Sequence, residues 1–286
     1  MTDAATARPC LKFVGGKTQL LPELRKHVPA AFGRYWEPFM GGAAMYFDLY
    51  AAGKIQNGAT LSDMNEFLVR TYLAVRDNVD IVIDWLRGHE RAYKDAGSDE
   101  AKLAYYLSVR AAMGFPGHFG PNENEAARLI FANKTGYNGL FRVNGSGKFN
   151  VPMGNYANPT ICDEENLRAC SRALQGADIR HSDFADVMAL AAPGDFLYAD
   201  PPYVAVNDTS DFTSYTAGKF TMADQQRLRD AALRLKRREV RVVLSNADVP
   251  AVRELYKGFQ IHEVQARRNV NSNATKRGKV GEVIIS

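Results

Sequence analysis

The sequence predicts an α/β protein in which a twisted, mostly parallel sheet is interrupted by a smaller helical domain. Short apolar strands alternate with helical segments over the first 65 residues, and the same alternation resumes after about residue 162. The segment between them has helical periodicity and no strand of the βαβ type. A structureless loop of that length would be improbable. We therefore expect one domain formed by residues 1–70 and 163–286, and a second one inserted over 71–162.

The first 65 residues are predicted to contain two helices and two strands. Leucines at helical spacing predict a helix over 18–27. The apolar segments 35–39 and 60–63 predict strands, each with an acid near its end. The segment 41–53 has glycine at both ends and predicts the second helix.

The inserted segment is predicted to be helical until it closes in a hairpin. Apolar side chains recur at helical spacing in four stretches, 68–75, 82–86, 103–110 and 125–132. The turn-prone Gly145-Ser146-Gly147 follows, with a short apolar stretch on each side. Such an arrangement is typical of a β-hairpin.

The last part of the chain returns to alternating helices and strands. A helix over 163–174 stops before Gly176, and Thr221 begins a long helix as its N-cap. The predicted strands of this part are 177–182, 195–199, 240–245, 259–264 and 282–286.

Composition narrows the class of protein. The 286 residues carry a net charge of +4, and no apolar run approaches the ~20 residues that cross a bilayer. The N-terminal residues lack the apolar core of a signal peptide. Cys10, Cys162 and Cys170 are odd in number and form no CxxC pair. We therefore expect a cytoplasmic protein with reduced thiols, no bound metal and no membrane partner.

Two polar segments concentrate the positive charge. Residues 133–148 carry three cations and residues 267–279 carry five, and neither segment contains an acid. Aromatic and asparagine side chains lie among the cations of the first segment. Both segments suit contacts with phosphates and base edges; the alternative is a pair of solvated loops.

Asp200-Pro201-Pro202-Tyr203 directly follows an apolar strand and carries the clearest chemistry. Such a corner suits chemistry on an exocyclic amine such as that of adenine. This amine is a poor nucleophile because its lone pair is delocalised into the ring. A carboxylate and a backbone carbonyl at a rigid Pro-Pro corner can accept both amine hydrogens and free that lone pair. Tyr203 could stack on the base. The alternative is an ordinary strand-to-loop turn, in which Asp-Pro pairs are common.

Three further strand ends carry candidate cofactor ligands. Glu37-Pro38-Phe39-Met40-Gly41-Gly42 ends a strand and opens a helix, and its glycines allow a ligand to approach the backbone. Asp63 ends the next strand, where an acid can accept hydrogen bonds from ribose hydroxyls. Asp183-Phe184 follows a third strand. The alternative for each aspartate is an N-cap of the following helix. All four motifs follow the carboxyl ends of strands, where open α/β sheets bind ligands.

Nearly the whole chain, from about Leu11 to Glu282, resembles the Dam-type DNA adenine methyltransferases, whose target-recognition domain precedes the DPPY motif. The resemblance rests on LKFVGGKTQLL (11–21), YWEPFMGGAAMYF (35–47), LSDMNEFLV (61–69), NKTGYNGLFRVN (133–144), GKFNVPMG (147–154), FLYADPPY (196–203), FTSY (212–215), VVLSN (242–246) and RRNVNSN (267–273). It implies a class I methyltransferase core and S-adenosylmethionine as the methyl donor.

The resemblance assigns a cofactor site. Its residues are Phe13, Lys17, Glu37, Phe39, Gly41, Gly42, Asp63, Asp183, Phe184 and Asp200. Phe13 stands where the family usually has tryptophan. By this resemblance Glu37 to Gly42 surround the methionine end of the cofactor, Asp63 binds its ribose, and Asp183 with Phe184 binds its adenine ring.

The resemblance also assigns the catalytic and DNA-binding residues. Asp200 and Pro201 would accept the target amine's hydrogens, Pro202 completes the corner, and Tyr203 would stack on a flipped base. The DNA-reading positions are Lys12, Tyr137, Asn138, Leu140, Arg142, Asn144 and Pro152. Tyr137 would wedge into the duplex, and Arg142 would read a guanine, the base that arginine contacts through O6 and N7. The basic segment adds phosphate contacts from Arg267, Arg268 and Asn271.

We therefore expect a monomeric enzyme that methylates adenine N6 in double-stranded DNA at GATC-type sites. Two alternatives remain, one within the methyltransferases and one from another class. An RNA adenine or protein glutamine methylase also uses a [DN]PPY corner, but has no evident need for the inserted domain. A DNA-binding module could keep the fold without catalysis, although the intact DPPY motif and Asp63 argue against it.

Overall fold

A computed structural model of the chain describes residues 6–13, 17–114, 122–203, 220–267 and 279–286. The described chain divides into two compact units. The helical unit comprises Met1–Val14 and Asn65–Ile179, and the sheet unit comprises Gly15–Met64 and Arg180–Ser286. The predicted α/β class is confirmed.

The helices and strands follow one another along the chain as follows. They are α1 Leu21–Leu24, β1 Tyr35–Glu37, α2 Ala44–Ala51, β2 Ala59–Asp63, α3 Glu66–Asp77, α4 Val79–Lys94, α5 Asp99–Ala112, α6 Glu123–Thr135, α7 Glu164–Leu174, β3 Ala177–His181, α8 Phe184–Ala189, β4 Phe196–Ala199, α9 Met222–Arg237, β5 Arg241–Ala247, α10 Pro250–Leu255, β6 Ile261–Arg267 and β7 Lys279–Ile285.

Seven strands form one sheet in the order β3-β2-β1-β4-β5-β7-β6. β1 runs parallel to β2 and β4, and β4 runs parallel to β5. β7 is antiparallel to both β5 and β6. The expectation of a mostly parallel, Rossmann-like sheet is therefore confirmed. The carboxyl ends of β2, β1, β4 and β5 lie side by side at one edge of the sheet.

Alternate side chains of the strands bury against helices on the two faces of the sheet. On one face, Tyr35 of β1 contacts Tyr46 of α2 at 6.3 Å and Phe196 of β4 at 5.7 Å between ring centroids. On the other face, Trp36 belongs to an apolar cluster with Leu228 of α9. Strands covered on both faces explain why these segments are almost wholly apolar.

The helical unit is built mainly from α3 to α7. α4 packs along α6, α6 packs against α3 and α5, and α7 packs against α3 and α4. Side-chain N-caps begin most of these helices, such as Asn65, whose Oδ1 accepts the Phe67 amide of α3 at 3.1 Å. The predicted hairpin is present, because Val143 and Phe149 form an antiparallel bridge and the Asn144 amide donates to the Lys148 carbonyl at 2.9 Å.

The predicted helix over 18–27 is wrong as a single helix. The chain instead forms a 3₁₀ turn over Lys17–Gln19, the short α1, and a second 3₁₀ turn over Arg25–His27. Pro22 lies in the first turn of α1. Proline lacks the backbone N–H that would continue a helix from the preceding residues, but it is well suited to the first turn of a new helix. The segment is therefore divided at Pro22, although its leucines recur at helical spacing.

The compact units divide at other positions than the predicted limits 71 and 162. Residues 6–13 and 163–179 group with the helical unit, because the Arg8 and Lys12 amides donate to Asn166 and Asn133 and α7 packs against α3 and α4. In the described ranges, no helix is both long and apolar enough to cross a membrane. All three cysteines are free thiols.

Candidate active site and nucleic-acid interface

The Asp200 carboxylate follows β4 directly and has a partner on each oxygen. Ser245 Oγ, on the adjacent β5, donates to Asp200 Oδ1 at 2.7 Å, and Lys17 Nζ lies 2.9 Å from Asp200 Oδ2. Tyr198 O–H in turn donates to Ser245 Oγ at 3.0 Å. Asp200 is partly exposed, with 22% of its side chain accessible, whereas 7% of the Lys17 side chain is accessible. The carboxylate is therefore held in one orientation and still open to a ligand.

The two residues at the end of the corner are fixed by separate contacts. Gln225 of α9, a buried amide, donates from Nε2 to the Pro202 carbonyl at 3.1 Å. Tyr203 donates its hydroxyl to Glu282 Oε2 of β7 at 2.9 Å, and Lys17 Nζ lies 4.6 Å from the centroid of its ring. Burial and the nearby charges of Asp200 and Glu282 raise the pKa of Tyr203 well above its usual value. The phenol therefore remains a donor at neutral pH.

The glycine turn after β1 meets the end of β2. Gly41 has φ +45°, a left-handed conformation that favours glycine, and its amide donates to Asp63 Oδ2 at 3.0 Å. Asp63 does not cap the next helix, because Asn65 does so. The N-cap alternative for Asp63 is therefore excluded, and its carboxylate lies at the glycine turn.

Glu37 is buried at the end of β1. Its Oε2 accepts hydrogen bonds from Tyr35 O–H at 2.8 Å and from the Tyr46 amide at 3.2 Å. Burial raises the pKa of Glu37 from 4.5 to about 8, and the nearby charges of Asp200 and Asp63 act in the same direction. The carboxyl group is therefore mostly protonated near neutral pH.

We expect Glu37→Gln to reduce the pH dependence of stability. Because the folded chain holds the Glu37 proton between pH 4.5 and about 8 while the unfolded chain releases it, the free energy of unfolding falls as pH rises through this window, by up to about 1.4 kcal/mol per pH unit. The measurement is urea unfolding at several pH values. Glu254→Gln, at an exposed position of α10, is the control. An unchanged pH slope in E37Q would contradict the burial argument.

Asp183 and Phe184 begin α8. Asp183 Oδ1 accepts the Ala185 amide at 2.9 Å, so the N-cap alternative holds for this residue. The same oxygen is 2.9 Å from Arg227 Nη2, and the Arg227 guanidinium lies 4.9 Å from the centroid of the Phe184 ring. Phe184 also stacks on Phe39 at 5.2 Å between centroids. The structure thus brings two of the predicted cofactor residues, Phe39 and Phe184, into contact.

The predicted site residues group around three contacts within the sheet unit. Lys17, Asp200 and Tyr203 form the first, Gly41 with Asp63 forms the second, and Phe39 with Phe184 forms the third. Phe13 belongs to the helical unit. Among the residues that the structure describes, no group of three or more His, Cys, Asp or Glu side chains could hold a metal ion.

The hairpin of the helical unit presents Arg142 and uses Asn144 to form its turn. Arg142 is exposed, and its Nε and Nη2 donate to Asn150 Oδ1 at 2.8 Å and to the Asn150 carbonyl at 3.0 Å. Asn144 Oδ1 accepts from the Ser146 amide, the Ser146 hydroxyl and the Lys148 amide at 3.1, 2.8 and 3.0 Å. The Asn144 oxygen therefore stabilises the turn of the hairpin.

Asn133 of α6 joins Lys12 to the turn that follows the helix. Its Oδ1 accepts the Lys12 amide at 2.7 Å, and its Nδ2 donates to the carbonyls of Lys12 and Gly139 at 2.8 and 3.1 Å. The exposed Lys12 side chain has Nζ 4.6 Å from the ring centroid of Tyr156. Lys12, Lys134 and Tyr156 line a cavity of about 460 Å³. Two lysines at one cavity suit an anionic ligand.

The other predicted DNA-binding residues lie close to this turn or beyond the described residues. Tyr137 is 41% exposed, and its amide donates to the Pro152 carbonyl at 2.9 Å. Asn138 has φ +53° and its amide donates to Tyr156 O–H at 3.1 Å. Leu140 directly follows this turn. Arg267 ends β6, whereas Arg268 and Asn271, like the FTSY segment, lie outside the described residues.

Comparison with known proteins identifies the family. The model of the D12 class N6 adenine-specific DNA methyltransferases matches residues 13–270 of this chain. The chain belongs to this family. It is an adenine-specific DNA methyltransferase, so a methyl donor and DNA are its substrates.

Relatives of this DNA adenine methyltransferase match over almost their whole length. The Type II methyltransferase M1.LlaDCHI of Lactococcus lactis subsp. cremoris is 38% identical over 98% of this chain and 95% of its own. The Type II methyltransferase M.MjaIII of Methanocaldococcus jannaschii is 38% identical over 94% and 95%, and the DNA adenine methylase of Escherichia coli K12 is 31% identical over 97% and 94%. A solved structure, the rRNA methyltransferase aviRa of Streptomyces viridochromogenes, covers 100% of this chain and 87% of its own at 12% identity, but with a TM-score of only 0.33.

Five residues that support the site of this methyltransferase were not predicted from its sequence. They are Ser245, Gln225 and Glu282 around the catalytic corner, and Asn133 and Asn150 beside the turns of the helical unit. Ser245 carried a usable signal, because VVLSN ends a strand that parallel pairing sets beside β4. Gln225, Glu282 and Asn133 act through contacts distant in the chain, which no local pattern reveals, whereas Asn150 contacts Arg142 across the predicted hairpin, eight residues away.

Proposed function

We propose that this DNA adenine methyltransferase uses S-adenosylmethionine to methylate the N6 amine of an adenine flipped out of the duplex at GATC-type sites. The observation that carries the proposal is the Asp200 carboxylate at the end of β4, held by Ser245 and Lys17 and still open to a ligand. A carboxylate fixed in this way can accept an amine hydrogen without reorganising first.

In the proposed reaction, Asp200 and the Pro201 carbonyl accept the two hydrogens of the target amine, which frees the nitrogen lone pair for attack. S-adenosylmethionine, when bound, supplies an electrophilic methyl group on a positively charged sulfur. No strong general base is needed, because the amine loses its proton after it has become cationic. In this step the positive charge would pass from the donor's sulfur to the amine nitrogen, where the Asp200 carboxylate would stabilise it until the proton leaves to water. Tyr203 would stack on the flipped base, which offsets part of the cost of flipping.

The end of the sheet offers groups that fit S-adenosylmethionine. The carboxylate of Asp63 and the left-handed Gly41 suit the sugar hydroxyls and a close approach to the backbone. Phe39, partly buried and stacked on the buried Phe184, offers aromatic surface for an adenine ring. Lys17, Glu37, Gly42, Asp183 and Asp200 complete the proposed cofactor set.

Recognition of the site is proposed for the helical unit. The exposed fork of Arg142 suits a guanine, and Tyr137 suits insertion into the gap that a flipped base leaves. Lys12 and the remaining hairpin residues would contact the other bases and phosphates. The relative from Escherichia coli is named DNA adenine methylase, which supports adenine in DNA as the substrate, and the GATC expectation rests on the family resemblance of the hairpin residues.

The test is a transfer assay with tritiated S-adenosylmethionine and three acceptors, namely unmethylated duplex DNA, transfer RNA and a glutamine-containing peptide. Digestion of the DNA to nucleosides identifies the product. We expect label only in N6-methyladenine from DNA. Label in RNA or peptide would overturn the proposed substrate. Binding of S-adenosylmethionine without transfer would indicate a non-catalytic DNA-binding protein.

A further inference from the structure

We propose that Glu282 is a positioning residue that fixes the ring of Tyr203 for stacking on the target adenine. This inference rests on the proposed function of the corner formed by residues 200–203. Glu282 lies about 80 residues from that corner in sequence and in no motif with a proposed role, and it acts through Tyr203 without touching the reacting atoms.

The contact is a single hydrogen bond inside the sheet unit. Tyr203 O–H donates to Glu282 Oε2 at 2.9 Å, and Glu282 is 8% exposed. A buried carboxylate is costly unless it is hydrogen-bonded, and the Tyr203 hydroxyl is one of its donors. The acceptor is itself rigidly held, because β7 pairs with β5 on one side, where Glu282 faces Ala247, and with β6 on the other, where it faces Val264.

The state of the phenol favours this bond. The raised pKa of Tyr203 keeps its O–H intact at the pH of the reaction. A hydroxyl that donates to a carboxylate makes a stronger bond than a neutral pair does. The far edge of the ring is thereby tied to β7, and its near end is tied to the Pro-Pro corner, whose Pro202 carbonyl accepts from Gln225.

The ties at both ends fix the direction of the ring's long axis, and the contact of Lys17 with one face restricts its plane. Lys17 Nζ lies 4.6 Å from the ring centroid, on one face, at the same time as it pairs with Asp200. We therefore expect the adenine to stack on the opposite face, with its amine toward the Asp200 carboxylate. A ring free to rotate would satisfy this geometry for only part of the time.

The experiment is a double-mutant cycle on the full-length enzyme with Glu282→Leu, Tyr203→Phe and the double variant. Each single change is expected to lower kcat/KM for DNA about tenfold, the scale of one hydrogen bond to a charged group, with the KM for S-adenosylmethionine unchanged. If Glu282 acts through the Tyr203 hydroxyl, the double variant loses no more than the worse single variant. Multiplied losses, about 100-fold in the double variant, would overturn the inference.

A conservative variant and a control variant separate the role of the hydrogen bond from effects on folding. Glu282→Gln retains an acceptor of the same shape, so we expect it to keep most of the wild-type kcat/KM even if Glu282→Leu folds poorly. If E282Q instead lowers kcat/KM, and lowers it by the same factor in the Tyr203→Phe background, the result would count against the inference. Glu263→Gln changes an acid at 70% exposure on the adjacent β6 and should leave kcat/KM unchanged. If the wild type transfers no methyl to DNA adenine, the proposed function and this inference fall together. If it is active and the losses multiply, only the role of Glu282 is wrong.

Discussion

Asp200→Ala is expected to lower the turnover of methyl transfer at least ~100-fold, the scale for removing a preorganised polar partner from a reacting group. In the structure this carboxylate accepts from Ser245 at 2.7 Å and lies 2.9 Å from Lys17 Nζ. Alanine removes the acceptor for the amine hydrogen and leaves Lys17 without this counter-ion. The measurement is single-turnover transfer from S-adenosylmethionine to duplex DNA, in which neither DNA binding nor product release limits the rate.

Two variants separate loss of chemistry from loss of structure. Ser245→Ala keeps the carboxylate and removes one of the contacts that orient it, so we expect a smaller loss, about tenfold. Asp230→Ala, at a half-exposed position of α9, should be neutral. Melting temperatures of all three report on folding. Near wild-type turnover in a folded D200A protein would show that Asp200 takes no part in the reaction.

Arg142→Ala is expected to relax discrimination at one guanine of the recognition site by ~1–3 kcal/mol. Arg142 is the exposed arginine of the hairpin, and Asn150 holds its fork by two hydrogen bonds. An arginine oriented in this way can reach O6 and N7 of a guanine without losing much conformational freedom. The measurement compares kcat/KM on the preferred site with kcat/KM on sites in which one base pair is changed.

The design of this comparison distinguishes reading of a base from support of the hairpin. If Arg142 only supports the hairpin, R142A lowers kcat/KM equally on all sites and the ratio between sites stays constant. Lys148→Ala is the matched control, because Lys148 is exposed on the same hairpin. Loss of a phosphate contact there would weaken binding equally on all sites. An unchanged specificity profile in R142A would refute its reading role.

The order of strands and helices could largely be predicted from the sequence. Apolar strands ending in acids predicted β1, β2 and β4, and a Thr221 N-cap predicted the start of α9. The exceptions were the first helix, where Pro22 starts a new turn, and the short α10, which was not predicted. Leucine spacing reports which face is buried, but a missing backbone N–H decides where a helix can continue.

The roles of the strand-end acids depended on contacts between strands. From the sequence, Asp63 and Asp183 could each be a helix N-cap or a ligand. The structure excludes the cap for Asp63, because Asn65 is a better-placed cap two residues on, and it shows the cap for Asp183. The raised pKa of Glu37 could not be predicted from the sequence, because burial of the carboxyl group, which favours its neutral form, depends on the packed structure.

Long-range partners were the part that sequence patterns could not reveal. Glu282 and Gln225 hold the two ends of the 202–203 segment from β7 and α9, and neither lies in a local motif. Asn144 shows the converse, since a position that resembles a DNA-reading residue also builds the turn that carries it.

The most direct test of the account is to map every modified adenine after incubation of unmethylated plasmid DNA with the enzyme and S-adenosylmethionine. We predict N6-methyladenine confined to GATC sites, which would support the donor, the catalytic corner and the hairpin together. Modified adenines in another sequence would keep the mechanism and overturn the proposed reading of the site. A complete absence of methylated adenine would contradict the central claim that the Asp200 corner transfers methyl from S-adenosylmethionine to DNA.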